Sequence, residues 1–329
     1  MKKTNCMRIV FMGTPDFAVG ALQKLVENNY SIVGVITATD QIAGRGQKLQ
    51  FSAVKNYALS QGLHILQPSN LKDPNFLEEL KELKADIQVV VAFRMLPELV
   101  WDMPPLGTFN LHASLLPQYR GAAPINHVLM NGETETGVTT FFLNKEIDTG
   151  KIILQKKCLI AADDDAGSLH DKLKQLGAEL ILETIHSIEQ NEFQSIDQSL
   201  LTTNLTKLKP APKIFKNDCE INWNEKSKTI QNKIRGLSPY PAAFTYLLNK
   251  ETSQKYSIKI FKVSQTSEND PILNTGQIST DAKNFLQVKT QDQMLSIEQV
   301  QLEGKKRIGI KEFLRGFPIN NQWSFTSLI

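Results

Sequence analysis

Asp86-Ile87-Gln88-Val89-Val90-Val91-Ala92 is the stretch on which the fold turns. Its apolar residues run on without alternating, so both faces of the strand it predicts must be covered. Met7 to Met12 is a second such run, closed by Gly13, and Ile32 to Thr37 is a third. Between them the spacing predicts helices at Ala18 to Glu27 (Val19, Leu22, Leu25, Val26), at Ser52 to Gln61 and at Asn75 to Lys84. A short strand is expected at His64 to Leu66. Such runs separated by helices argue for an α/β fold with a parallel sheet covered on both sides. A sheet of that kind binds its ligands at the carboxyl ends of its strands.

Phe109-Asn110-Leu111-His112-Ala113-Ser114-Leu115-Leu116-Pro117-Gln118-Tyr119-Arg120-Gly121 lies at one of those ends. If Thr108 to His112 is a strand, Asn110 and His112 leave the same face while Leu111 points into the core. Ile147-Asp148-Thr149-Gly150 adds a carboxylate at a Gly-bounded turn. An amide that can bind a developing oxyanion, an imidazole and an ionised Asp are the parts needed to move an acyl group onto an amine. Ser114 also invites a hydrolase reading with His112 and Asp148. There is no G-x-S-x-G elbow, however, and Ser114 serves equally well to begin the Leu-Leu-Pro turn. His64, His127, His170 and His186 lack such company and read as structural.

Other motifs exclude chemistry. Gly13-Thr14-Pro15 follows the first strand without a G-x-G-x-x-G pattern, which argues against a nicotinamide cofactor. Ala43-Gly44-Arg45-Gly46-Gln47-Lys48 lacks P-loop spacing. Arg45 between two glycines is either a cation on a mobile loop, suited to a polyanion, or part of an ordinary surface loop. Asp163-Asp164-Asp165 reads as a solvated loop that helps cap the next helix, marked by Leu169, Leu173, Leu176, Leu180 and Ile188, and no metal site is expected there. Cys6, Cys158 and Cys219 form no C-x-x-C pair, which argues against a zinc site or disulfide framework and for a reducing cytoplasm.

At 329 residues, with 41% apolar and 22% charged residues, the chain reads as a globular protein of two domains. The apolar run after Arg8 is too short for a secretory signal. No stretch approaches the ~20 apolar residues of a membrane span, so no membrane association is expected. Residues 191–209 are polar and read as a linker between a domain at 1–190 and another at 210–329. Beyond the linker, Ile258 to Val263, Gly276 to Ser279, Phe285 to Lys289 and Met294 to Val300 alternate like the strands of a small barrel or sandwich. The net charge of +3 is unevenly spread. From Pro210 onward 17 Lys and Arg face 11 Asp and Glu, an excess of +6, against −3 before it. Either the second half meets a polyanion or the imbalance is solvated surface.

Over nearly its full length the chain resembles the methionyl-tRNA formyltransferase family. The matching pieces are Arg8 to Ala18, Ala43 to Gly46, Asn110 to Pro117, Arg120 to Ile125, and Glu135 to Thr139 leading to Asp148-Thr149-Gly150. In the second half they are Ala211 to Ile214, Ile234 to Pro239 and Phe313 to Gly316. The Asn-x-His and Asp-x-Gly elements are shared with the wider formyltransferase superfamily, which includes glycinamide ribonucleotide transformylase. Gly-Thr-Pro-Asp-Phe-Ala, Arg-Gly-Ala-Ala-Pro-Ile and the C-terminal half make the likeness specific. Two segments depart from the family pattern. Thr39-Asp40-Gln41-Ile42 replaces an acidic, basic, Pro sequence, and Phe141 to Glu146 replaces the superfamily's usual signature.

The resemblance implies a Rossmann-like formyltransferase domain with a mostly parallel sheet, followed by a small OB-like β-barrel that binds tRNA. It implies transfer of the formyl group of 10-formyltetrahydrofolate to the α-amino group of methionyl-initiator tRNA, giving N-formylmethionyl-tRNA for translation initiation. By position Asn110, His112 and Asp148 match the catalytic trio, and Ser114, Leu115, Leu116 and Pro117 match the tetrahydrofolate-contacting segment. Arg45 matches the basic residue that meets the acceptor end. Lys213, Lys233, Arg235, Lys305, Lys306 and Arg307 are candidates for tRNA phosphates, although Lys305 to Arg307 also reads as a solvated hairpin turn. No metal and no stable protein partner are implied, and a monomer is expected. The alternatives are a folate-dependent formyltransferase acting on a small amine or sugar nucleotide, and a non-catalytic tRNA-binding module.

Overall fold

The computed structural model describes residues 7–43, 48–201, 208–320 and 322–327. In chain order the first elements are β1 (Arg8–Gly13), α1 (Asp16–Glu27), β2 (Ser31–Ile36), β3 (Gln41–Ala43), β4 (Lys48–Gln50), α2 (Ala53–Ser60), β5 (Ile65–Leu66), α3 (Pro74–Glu82), β6 (Ile87–Val91), α4 (Glu98–Trp101) and β7 (Thr108–His112). Then come α5 (Pro124–Met130), β8 (Glu135–Phe142), β9 (Ile152–Leu159) and α6 (Ala166–Glu189). The last are α7 (Ser227–Leu237), β10 (Ala243–Asn249), β11 (Lys255–Gln265), β12 (Ile278–Thr280), β13 (Leu286–Lys289), β14 (Met294–Leu302), β15 (Ile308–Gly309), α8 (Ile310–Gly316) and β16 (Trp323–Thr326).

The chain forms two compact units. One holds Met1–Gly121, Glu135–Leu159 and His170–Pro210; the other holds Ala122–Thr134, Ile160–Leu169 and Ala211–Ile329. In the first, the strand order is β5-β2-β1-β6-β7-β8-β9. From β5 to β7 all neighbours are parallel, and β8 and β9 are antiparallel. The continuous apolar runs occupy the middle: Ile9, Val10, Phe11 and Met12 of β1 and all five residues of β6 are buried. The chain moves outward from β1 to β2 and β5, then crosses back to β6 and β7. The strand order therefore reverses between β1 and β6, and the cleft-forming ends are the carboxyl ends around that point.

Local sequence sets the helix starts. Ser52 accepts the amide of Lys55 at the head of α2, and Asp73 accepts that of Phe76 at the head of α3, where Pro74 takes the first position. Asp165 and Ser168 cap α6 reciprocally. Asp164 is not solvated as the acidic run suggested: it is buried and accepts from the Ala161 amide and the Ser168 hydroxyl. No helix among the described residues is long and apolar enough to cross a membrane.

The second unit is an antiparallel barrel ordered β12-β13-β14-β11-β10-β16, with β15 on β14. A Gln277–Ser324 bridge and the Phe325 amide on the Gly276 carbonyl (2.8 Å) bring its two ends together. Its core includes Ile230 and Ile234 of α7, Ile258 and Ile260 of β11, and the stacked rings of Trp223 and Phe325. The fold is the expected one, a Rossmann-like sheet followed by an OB-like barrel.

One packing contact backs β7 against α6. Leu111 is buried against Gly177 of α6, where an added Cβ would lie 2.6 Å from Leu111 Cδ2. Gly177→Val should therefore lower the stability of this unit by about 1–3 kcal/mol through overpacking. Denaturant unfolding followed by circular dichroism checks it, and an unchanged midpoint would show that α6 does not bear on β7 there.

Candidate active site

β7 lies between β6 and β8, with Asn110 opposite Val90 and Phe141 and His112 opposite Thr139. Asn110 and His112 leave the face away from Leu111, as a two-residue period demands. The Asn110 side chain is half-buried, and no hydrogen bond to its amide is made among the described residues. A donor so placed is free for a ligand.

His112 is buried, at 6% exposure. Its Nε2 lies 2.8 Å from the carbonyl oxygen of Tyr119. A carbonyl only accepts, so Nε2 carries a proton. Nδ1 faces Asp148 Oδ2 at 3.9 Å, too far for a hydrogen bond and close enough for charge to act. Asp148 Oδ2 also accepts the Gly121 amide at 2.9 Å.

Tyr119 (φ 60°) and Asp148 (φ 54°) are both left-handed, a conformation that non-glycine residues adopt at a cost. Gly150 cannot be replaced in this turn, because a Cβ there would lie 1.6 Å from the Phe142 carbonyl oxygen. The structure thus brings His112 and Asp148 face to face and sets Asn110 two residues before His112 on the same face.

Ser114 is fully buried and its hydroxyl donates to the Gln118 carbonyl at 2.7 Å, which sets aside a nucleophilic serine. Leu116 and Pro117 are buried and joined by a cis peptide, and Leu115 is half-buried. Thr139 Oγ1 accepts from the Leu116 amide (3.1 Å) and donates to the Ser114 carbonyl (2.6 Å). Gln155 Nε2 donates to the Leu116 carbonyl (2.9 Å). The Ser114 to Pro117 segment is therefore pinned through its backbone.

Arg45 lies outside the described residues. The segment leading to it is anchored at Asp40, which accepts from Lys55 Nζ at 2.5 Å and Gln67 Nε2 at 2.9 Å. The Gln67 bond first and the Lys55 bond second hold its carboxyl below the usual range. In the barrel unit Lys213, Lys305, Lys306 and Arg307 are exposed. Lys213 rides over the Phe215 ring, and Arg307 lies on Phe261 and donates to Gln299. Lys233 donates to the Glu220 carbonyl. Arg235 is half-buried and donates to Asn232 Oδ1; burial pulls its pKa down and the nearby Asp164 charge opposes that. Among the described residues no three His, Cys, Asp or Glu side chains group as a metal site.

Sequence reading missed the partners that hold the site: the Tyr119 carbonyl, the Gly121 amide, Thr139, Gln155 and Gln198. Gln198 falls in the stretch read as a linker. It is 2% exposed and donates from Nε2 to the carbonyls of Asp148 (2.9 Å) and Gly150 (2.8 Å). Ile196 beside it bridges to Ile152 of β9. No motif marked Gln155 or Gln198; Tyr119, Gly121 and Thr139 lie within quoted motifs, but the first two act through backbone groups with no side-chain signature.

The formyl transferase family matches residues 7–185, and its C-terminal domain matches residues 213–318. The chain is similar to the methionyl-tRNA formyltransferase of Bacteroides fragilis, at 53% identity covering 100% of both chains. It is also similar to that of Parabacteroides distasonis, at 54% identity covering 96% and 97%. Among solved structures it resembles the N-formyltransferase of Helicobacter canadensis in complex with folinic acid and dTDP-3-aminofucose. The TM-score is 0.63 at 21% identity, over 92% of this chain and 100% of that one. HypX from Aquifex aeolicus in complex with tetrahydrofolic acid gives a TM-score of 0.60 at 17% identity, over 94% of this chain and 47% of that one. Those two show the fold alone. With both domains matched and half of all positions identical along the whole length, the chain belongs to the methionyl-tRNA formyltransferase family.

Proposed function

We propose that this protein transfers the formyl group of 10-formyltetrahydrofolate to the α-amino group of methionyl-initiator tRNA. The full-length identity to methionyl-tRNA formyltransferases carries this reading, and the His112–Asp148 pair with the Asn110 amide, which has no partner among the described residues, supplies its chemistry. The α-amine titrates near pH 7.7, so a useful fraction is neutral at cytoplasmic pH. It attacks the formyl carbon. The oxyanion that forms takes hydrogen bonds from Asn110 and from protonated His112. Because Nε2 is engaged by Tyr119, Nδ1–H is the donor that faces the reaction. Asp148 balances the charge of the buried imidazolium. With a water it moves the amine proton to N10, whose bond to the formyl carbon then breaks to release tetrahydrofolate. Together the trio can contribute roughly 10⁴-fold in rate. The formyl carbonyl is already activated by N10, so the reaction needs no metal.

Ser114 to Pro117, pinned by Thr139 and Gln155, forms part of the folate site in this reading. Residues 1–190 carry formyl transfer, and the barrel from residue 210 supplies cations to tRNA phosphates. Lys305 and Lys306 suit that role best, being exposed with no carboxylate partner among the described residues. Arg235 suits it least, since its guanidinium is partly buried beside Asp164. The protein acts in the cytoplasm, as a monomer.

The test is formyl transfer from labelled 10-formyltetrahydrofolate to methionyl-initiator tRNA, with elongator methionyl-tRNA and a dTDP-amino sugar as competing acceptors. Label should reach the initiator first. Label on the sugar nucleotide alone would establish the small-amine alternative. Asp148→Asn, Asn110→Asp and His112→Ala should each lower kcat by about 10²-fold or more, with tRNA affinity within a few-fold. Near-normal turnover in a folded Asp148→Asn enzyme would sink the mechanism.

The cations are separated by salt and substrate. Arg45→Ala should raise KM for methionyl-tRNA and leave folate binding unchanged. Lys305→Ala with Lys306→Ala should make the slope of log K for tRNA against log salt shallower by about 1–2. Equal losses toward both substrates for Arg45, or an unchanged slope for the lysine pair, would remove these residues from the tRNA surface.

A further inference from the structure

Gln198 and Arg120 join the two loops that carry the partners of His112 and Asp148. Gln198 Nε2 donates to both carbonyls that bracket the Asp148 turn, and its Oε1 accepts from Arg120 Nε (3.1 Å) and Nη2 (2.6 Å). Arg120 lies between Tyr119, whose carbonyl holds His112 Nε2, and Gly121, whose amide holds Asp148 Oδ2. One buried amide therefore ties the loop that orients the imidazole to the turn that presents the carboxylate. Both segments are strained: Tyr119 and Asp148 are left-handed, and such backbone persists only where its surroundings over-determine it. Neither segment is in a helix or strand that would impose it. All of Gln198's donors and its acceptor are used, and it is 2% exposed, so water cannot substitute for it.

We propose that Gln198, locked by Arg120, is a positioning residue for formyl transfer, setting the His112–Asp148 separation and the aim of His112 Nδ1. This rests on the formyltransferase reading above. The clamp touches neither reacting atom and acts through the two left-handed backbones, so loosening it costs the chemical step and spares substrate binding. Displacements of about 1 Å at such a pair cost up to about 10²-fold in rate.

The experiment uses full-length protein carrying Gln198→Glu or Gln198→Met. Glu keeps the length and pairs with Arg120, yet sets a carboxylate oxygen against the Asp148 and Gly150 carbonyls. Met keeps the bulk and loses every hydrogen bond. Two quantities are measured: kcat with KM for both substrates, and hydrogen exchange at the Gly121 amide. Both variants should lose about 10- to 100-fold in kcat with KM within about twofold, and Gly121 should exchange about 10-fold faster or more, while β6 amides hold their wild-type rates. Should both variants misfold, Arg120→Lys, which keeps the charge and loses the paired donors, is read the same way with a loss of about 3- to 10-fold. The proposal requires both quantities to move. Wild-type kcat or wild-type Gly121 exchange in Gln198→Glu overturns it, as does a rise in KM at constant kcat. If wild-type protein does not formylate methionyl-tRNA, the functional reading fails, and Gly121 exchange alone still decides whether the clamp exists.

Discussion

A buried imidazole, held at Nε2 by one left-handed residue and faced at Nδ1 by the carboxylate of another, is the constraint on which this structure depends. His112 donates from Nε2 to the Tyr119 carbonyl and faces Asp148 with Nδ1. Tyr119 and Asp148 both sit in the left-handed region, at a cost of about 1 kcal/mol or more each. Relaxing either segment would turn a carbonyl or a carboxylate away from the ring. The cost is offset by fixed contacts: the Lys209 carbonyl on the Tyr119 amide, the Gly121 amide on Asp148, and the Gln198 amide behind the turn. A site built so is aimed before substrate arrives, which is what electrostatic stabilisation of a developing oxyanion requires.

The sheet supplies the other half of the aim. Asn110 and His112 share a face only because β7 is a regular strand between β6 and β8, and its opposite face is fixed by Leu111 on Gly177. The turn to Asp148 closes because Gly150 leaves room for the Phe142 carbonyl. The Asp-x-Gly element thus has a steric reason: its last position must lack a Cβ, and its first must carry the carboxylate.

Much of this was legible in the sequence, and the boundary of legibility has physical causes. β1, β2 and β6 were plain because strands covered on both faces are nearly continuous apolar runs, and the helices between them because of their apolar spacing. β8 and β9 were not: β8 is rich in Thr, and outer strand β9 sends Lys157 to solvent. In the barrel, β11, β13 and β14 showed their alternation. β10, β16 and α7 did not, since polar residues such as Thr245, which takes the Trp223 indole N–H, and Asn232 are buried there. His112 and Asp148 lie 36 positions apart and were paired by chemistry and resemblance. The groups that hold them are a carbonyl, an amide and a glutamine in a polar stretch, and nothing in composition distinguishes those from solvated ones.

The claim that all else requires is the state of one ring, and nitrogen NMR of the histidines reads it directly. With His112 neutral, and its signals assigned against a His112→Gln variant, Nε2 should appear as the protonated, pyrrole-type nitrogen and Nδ1 as the bare, pyridine-type one. A His112 found with its proton on Nδ1 and a bare Nε2 could not donate to Tyr119, and would contradict the account.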